Sequence, residues 1–165
     1  MIHYWLLKLR EIKYNIKIKS KNRMKQASEK IVVYTYGVYD LFHRGHLELL
    51  TDAKKLGDYL IVGIFSDDIA ESFKRKPIIT LQDRLEIIRH CKIVDDVVVQ
   101  YELHPGKNLK KYKPHILAKG PGAGWSEKGK IPGEDMAQKL NIKIIRLNYH
   151  SGISTSEIIK KIKNI

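Results

Sequence analysis

A single cysteine, Cys91, is present, so no disulfide can form within one chain. No apolar run approaches the roughly 20 residues that cross a bilayer. Met1–Leu9 is too short an apolar stretch for a secretory signal and lacks a small-residue cleavage site. A cytoplasmic protein is therefore expected. Internal repeats and long low-complexity segments are also missing, which excludes solenoid arrays.

Acidic residues are scarce. Eighteen Asp and Glu stand against 31 Lys and Arg, for a net charge of +13. The surplus is uneven: residues 1–30 hold nine of the cations against Glu11 and Glu29. Such an arm can meet nucleic acid or an anionic membrane, or can simply be solvated. We read residues 1–29 as a solvated extension, with Met24 as an alternative start. No nucleic-acid partner is expected, and membrane contact through the arm ranks behind solvation. Residues 30–165 suffice for one domain with a sizeable core.

From Lys30 onward, strand-like runs alternate with helical patterns. The strands are read at Ile31–Tyr36, Tyr59–Phe65, Asp95–Val99, His115–Ala118 and Ile142–Leu147. The helices are read at Gly45–Leu56, after Ser66-Asp67-Asp68, from Thr80, at Leu109–Tyr112, at Gly133–Leu140 and at Ser154–Ile162. Thr80 followed three residues later by Asp83 is close to a capping box. Leu81, Leu85, Ile88 and Cys91 make the apolar stripe of that helix. This alternation predicts an α/β protein with a Rossmann-like, doubly wound parallel sheet and right-handed crossovers. Ligands of such sheets bind beyond the carboxyl ends of the strands, where the strand order reverses.

His43-Arg44-Gly45-His46 lies at the end of the first strand, where the first helix opens. Two imidazoles three residues apart share one face of the first helical turn. The free N–H groups and partial positive charge of a helix start lie beside them. That is an anion site with two neutral-to-cationic donors added. Gly45 lets backbone and phosphate approach without a Cβ.

Four ordered blocks carry a family resemblance. They are Tyr36-Gly-Val-Tyr-Asp-Leu-Phe-His-Arg-Gly-His46, Leu56-Gly-Asp-Tyr-Leu-Ile-Val-Gly63, Asp83-Arg84 through Val94-Asp-Asp-Val97, and Gly152-Ile-Ser-Thr-Ser156. From Ile31 to Ile162 the chain resembles the HxGH nucleotidyltransferases, in their cytidylyltransferase-like branch. Within that branch it is most similar to the glycerol-3-phosphate cytidylyltransferases, with the ethanolamine- and choline-phosphate enzymes as relatives.

The resemblance implies transfer of CMP from CTP to a phosphorylated alcohol, glycerol 3-phosphate first. A CDP-alcohol and pyrophosphate would be formed. The acceptor phosphate attacks the α-phosphorus directly, with no protein nucleophile. It also implies Mg²⁺ with the triphosphate, and a homodimer.

The same resemblance sets out the candidate site. His43, His46, Lys74 and Lys76 are the catalytic candidates. Lys74 and Lys76 flank Arg75 just before Pro77, and a solvated charge cluster is the plain alternative for them. Val38, Tyr39, Asp40, Gly45, Lys92, Lys119, Ser154, Thr155 and Ser156 are the nucleotide-binding candidates. Capping alone would explain Ser154, and turn geometry would explain Asp40. Arg84 is read as a support that bridges its helix to the site, and Asp68 as a weaker acidic candidate. No protein-held metal is expected.

Two segments depart from the glycerol-type pattern. Leu147-Asn148-Tyr149-His150-Ser151 has Tyr149 where that pattern carries an Arg, with His150 or Lys119 as compensating groups. Lys119-Gly-Pro-Gly-Ala-Gly-Trp125 lacks the acids of the glycerol-type loop. Its Lys-Gly start and nearby aromatic, Trp125, resemble instead the sugar-phosphate adenylyltransferases of heptose activation. An adenylyltransferase acting on a heptose phosphate is therefore the alternative. A non-catalytic nucleotide- or membrane-binding protein is the alternative of another class, and the intact His43/His46 pair argues against it.

Overall fold

Pairing of strand one on both sides builds the molecule outward from its centre. The computed structural model describes residues 30–120, 129, 131–148, 150 and 152–165. The basic arm, Trp125, Tyr149 and Ser151 lie outside the described residues. The chain divides at Lys30 and Ile31 into two units, and the fold below is that of the second.

The strands are β1 (Val32–Gly37), β2 (Tyr59–Phe65), β3 (Asp96–Gln100), β4 (Ile116–Lys119) and β5 (Lys143–Arg146). The helices are α1 (Arg44–Lys54), α2 (Asp67–Phe73), α3 (Leu81–Arg89), α4 (Gly106–Tyr112), α5 (Glu134–Lys139) and α6 (Thr155–Lys163). The sheet order is β3-β2-β1-β4-β5, and every pairing is parallel. The chain winds outward from β1 through β2 to β3, then returns to place β4 on the other side of β1. The order therefore reverses between β1 and β4, the switch point of a doubly wound sheet.

The strands are apolar almost throughout because both faces of the sheet are covered. Successive side chains alternate between faces. Val33, Leu60, Val62, Ile64 and Ala118 pack with Leu50 and Ala53 of α1 and with Leu85 and Ile88 of α3. Tyr34, Ile61, Phe65 and Leu117 pack on the opposite face with Ala70 of α2, Leu109 of α4 and Ala137 of α5. Leu50, Leu60, Ile64, Ile88 and Leu117 are fully buried. Each contributes about 1.5–3 kcal/mol by leaving water.

Element boundaries follow local chemistry. Thr80 caps α3 by accepting from the Asp83 N–H, as its spacing predicts. Asp95 sits ahead of β3 because its carboxylate accepts from Leu60 N–H at 2.7 Å and Lys54 Nζ at 2.5 Å. α4 begins three residues before the expected Leu109. Gly106 reads as a breaker, but Pro105 precedes it with a φ of −72° already suited to a helix start. Among the described residues, no helix is long and apolar enough to cross a membrane.

Candidate active site

The pairing between β1 and β2 runs through Gly37 and Ile64, but that between β1 and β4 stops at Tyr34 and Leu117. The carboxyl ends of β1 and β4 therefore part, and a cleft open to solvent lies at the switch point. It is lined by Tyr36, Val38, Tyr39, Asp40, His46, Lys74, Arg75, Lys119, Gly120 and Thr155. A second cavity adjoins it, lined by His43, Gly45, His46, Lys74, Asn148, His150, Ser154, Thr155 and Ser156. The two share His46, Leu49, Lys74 and Thr155.

His43 is the N-cap of α1, with extended backbone, and His46 lies in its first turn. Their rings stack with centroids 3.8 Å apart and planes 20° from parallel. Tyr39 meets His46 edge-on at 5.4 Å and Phe42 stacks on it at 5.7 Å. Burial, then the neighbouring His43 and Lys74, push the His46 pKa down to about 3. The His43 value is lowered as well, chiefly by burial and then by Lys74. Both rings are thus neutral at physiological pH, at the neutral end of the range the sequence suggests. Two imidazoles this close cannot both hold a proton without strong repulsion. Nδ1 of each ring is buried without a hydrogen-bond partner among the described residues. Buried polar atoms normally have partners, so an unpaired couple in a cleft is prepared for a ligand.

Gly45 sits in a tight place. A Cβ there would stand 3.2 Å from the His43 ring and 3.3 Å from the Ile153 carbonyl oxygen. The His43 Nε2 lies 3.4 Å from Thr155 Oγ1, which also donates to the Asp40 carbonyl at 3.0 Å. The start of α6 is thereby joined to the start of α1. Ser154 caps α6 by accepting from Glu157 N–H at 3.2 Å, and Ser156 lines the second cavity from the exposed side.

Asp40 is buried, and its carboxylate accepts from Ile79 N–H at 2.9 Å, Ile78 N–H at 3.1 Å and Arg75 at 2.8 Å. Burial alone would raise its pKa, but these donors outweigh it and hold the group below the ordinary carboxylate value. Asp40 therefore fastens the 75–79 segment over the Val38–Asp40 turn. Arg84 works from behind. Its fully buried guanidinium donates to the carbonyls of Val38 at 2.6 Å, Ile79 at 3.0 Å and Phe65 at 3.0 Å, and pairs with Asp67. This is the bridging role expected of it. Asp68 is exposed in the first turn of α2 and takes no part.

Lys74 lines both cavities, and burial followed by the nearby Arg75 lowers its pKa. Lys119 donates to the Tyr36 carbonyl at 2.7 Å and sits 4.3 Å above the Tyr36 ring. Burial pushes its pKa down to about 7. His150 bonds Asp52 at 2.8 Å with its Nδ1 3.6 Å from Glu48, so it faces the second cavity while tethered to α1.

Two sequence expectations are corrected. Lys76 is exposed and lines neither cavity. Arg75 turns in to Asp40, and the next residue of this non-helical segment faces away. Lys92 is also exposed and remote. It follows α3 and precedes β3, at the amino edge of the sheet opposite the cleft. Arg75, in contrast, lines the first cavity. Its one sequence signal was its place between two candidate lysines, and nothing in the sequence pointed to its Asp40 partner.

A parallel sheet that presents a stacked His pair, a helix start and a cluster of cations at its switch point defines a nucleotidyltransferase-type site. Residues 34–161 match the model of the cytidylyltransferase-like family, and the chain belongs to that family. It is 38% identical over 134 residues to the bifunctional protein HldE of Helicobacter pylori strain HPAG1, across 80% of this chain and 27% of the relative. It is 39% identical over 142 residues to the protein of that name from Blochmanniella pennsylvanica, across 85% of this chain and 29% of the relative. The chain thus matches little more than a quarter of the length of these relatives. The lipopolysaccharide core biosynthesis protein of Thermoplasma volcanium superposes with a TM-score of 0.64 at 30% identity, over 74% of this chain and 99% of that one. The family makes this chain a transferase of the nucleotidyltransferase type.

Proposed function

We propose that this chain transfers the adenylyl group of ATP to the phosphate of a phosphorylated sugar of the heptose class, releasing pyrophosphate. The observation that carries this reading is Lys119-Gly120 at the switch point, where the loop after β4 leaves the sheet. That start is the feature shared with the heptose-activating adenylyltransferases. Similarity to the HldE proteins and to the lipopolysaccharide core biosynthesis protein supports it. The reading concerns the part of those longer, bifunctional relatives that this chain spans.

In the reaction, an oxygen of the acceptor phosphate forms a bond to the α-phosphorus. The bond from that phosphorus to the bridging oxygen breaks, and pyrophosphate leaves with the electron pair. Charge grows on phosphoryl oxygens that are already negative, so fixed donors do most of the work. His46 serves as a neutral N–H donor in a position set by stacking, and His43 offers a single N–H, on the Nε2 that faces Thr155 Oγ1, for which the phosphate competes. The starts of α1 and α6 supply backbone N–H groups and dipoles. Lys74, common to both cavities, can neutralise charge shared between the two substrates. Mg²⁺ enters as part of the metal–nucleotide substrate. Among the described residues, no group of three or more His, Cys, Asp or Glu is placed to hold a metal ion, and the Asp40 carboxylate is fully engaged.

A second reading, CMP transfer from CTP to glycerol 3-phosphate, rests on the Gly152-Ile-Ser-Thr-Ser156 block, whose Thr155 reaches His43. The altered Lys119–Trp125 and Asn148–Ser151 segments weigh against it. Pyrophosphate release with Mg²⁺, measured for ATP and CTP against a panel of sugar and alcohol phosphates, tests the choice. ATP with a heptose phosphate is expected to be the fastest pair. A faster rate with CTP and glycerol 3-phosphate would overturn the proposal.

A further inference from the structure

We infer that Tyr36 is a positioning residue, which fastens both ends of the chain between β4 and α5 to the carboxyl end of β1 and so fixes the β4 side of the cleft. The inference rests on the nucleotidyl-transfer reading of the site but not on which nucleotide or acceptor is used.

The β1–β4 ladder ends at Tyr34 and Leu117, and continuing its register would set Tyr36 opposite Lys119. A side chain takes over there. Lys119 Nζ donates to the Tyr36 carbonyl at 2.7 Å and lies 4.3 Å above the Tyr36 ring. The ammonium thus stands in for a backbone N–H as the strands part, and the carbonyl keeps a partner. Lys119 and the next residue, Gly120, both line the cleft, and the chain leaves the sheet at this point.

The chain comes back to the same tyrosine. The Tyr36 hydroxyl donates to the Pro132 carbonyl at 2.7 Å. The side chain is buried, with Phe65 edge-on at 5.5 Å and Tyr34 stacked at 6.1 Å, so the hydroxyl has a fixed aim. Burial pushes its pKa up, so it keeps its proton and stays a donor. The returning limb is also held by more exposed groups. Glu134 accepts from Ile131 N–H at 3.1 Å, and Arg146 pairs with Glu134 at 3.7 Å and donates to the Gly129 carbonyl at 2.7 Å. One residue of β1 therefore holds Lys119 and Pro132, which lie 83 and 96 positions further along the chain.

Tyr34, two residues earlier on the same face of β1, supplies the comparison. Its hydroxyl donates to Gln100 at 2.6 Å and accepts from Asn108 at 2.9 Å, which ties β1 to β3 and α4. Neither partner lines the cleft. Both hydroxyls are buried, and losing either one leaves an acceptor unpaired and costs stability. The Tyr36 bond alone reaches chain that borders the cleft, so its loss should reach turnover as well.

The test compares Y36F and Y34F with the wild-type chain. Each variant keeps its ring and loses one hydroxyl. Thermal melts set an assay temperature below every transition, and initial rates use whichever nucleotide and phosphorylated acceptor wild type turns over best. Y36F is expected to lower kcat/KM by about five- to tenfold, the scale of one hydrogen bond. Y34F should lower Tm at least as far, yet leave kcat/KM within about twofold of wild type. A wild-type kcat/KM in Y36F would overturn the inference. An equal loss in Y34F would overturn it too, because activity would then follow packing. Amide hydrogen exchange reads the tie without turnover. Exchange at Ile131, Gly133 and Glu134 should quicken in Y36F but not in Y34F, and unchanged exchange in Y36F would contradict the inference. If Y36F does not fold, E134A, which slackens the same limb, is read in its place against Y34F. A wild-type preference for CTP or an alcohol phosphate would sink the proposed function and leave the Tyr36 comparison readable on those substrates.

Discussion

His43 Nε2 and Thr155 Oγ1 lie 3.4 Å apart although 112 positions separate them in the chain. This contact joins the first and last helices of the domain at the cleft. Thr155 also donates to the Asp40 carbonyl, so its hydroxyl fixes both the turn after β1 and the imidazole. Replacing Thr155 with Val keeps the shape and removes both interactions. T155V is expected to lower kcat by about 10- to 100-fold, with T155S near wild type. Steady-state kinetics check this, and equal rates for T155V and wild type would remove Thr155 from the site.

His46 makes a prediction about acid stability. Its folded pKa, about 3, lies below the ordinary histidine value of 6.5. Between those values the unfolded chain binds a proton that the folded chain refuses. Its contribution is complete above pH 6.5 and is lost as the pH falls toward 3, by up to about 1.4 kcal/mol per pH unit. Urea denaturation between pH 4 and 7 should show this slope in wild type and a shallower one in H46Q. Equal slopes would show that the ring titrates normally.

Lys119 should appear in the pH–rate profile. With a folded pKa near 7, it loses its charge as the pH rises through neutrality. If its ammonium serves an anionic substrate, kcat/KM falls above about pH 7, because that parameter reports the free enzyme. K119M should lower kcat/KM and flatten this limb. A K119M profile with the wild-type alkaline limb would assign the titration to another group.

Arg84 is the structural prediction. It is fully buried and bonds three carbonyls and Asp67. R84M leaves those carbonyls without a partner and frees the turn carrying Val38. A loss of about 3–5 kcal/mol in denaturant unfolding is expected. K92A, exposed at the edge of the sheet opposite the cleft, should leave stability and kcat/KM close to wild type.

Much of this molecule was legible in its sequence because local chemistry and fold agree. β2 was read to its exact ends, since Tyr59–Phe65 is buried on both faces and bounded by Gly57-Asp58 and Ser66. The Thr80 cap and the bridging part of Arg84 followed from helix starts and family pattern. Long-range pairings were not legible. Asp40 meets Arg75, Ile78 and Ile79 across 35 or more positions, and this contact alone decides that Arg75, not Lys76, faces the cleft. Periodicity reports which face a residue takes, not its partner. Lys92 went wrong for a similar reason, because a motif match places a residue in sequence order but not at one edge of a sheet. The charge state of the His pair depends on stacking and burial, which a tetrapeptide does not display.

One mixed-substrate assay tests the central claim most directly. The purified chain is given equal ATP and CTP, equal heptose phosphate and glycerol 3-phosphate, and Mg²⁺, and the products are identified by mass spectrometry. The predicted outcome is an ADP-sugar as the dominant product, lost in H43A and H46A. CDP-glycerol as the dominant product would contradict it.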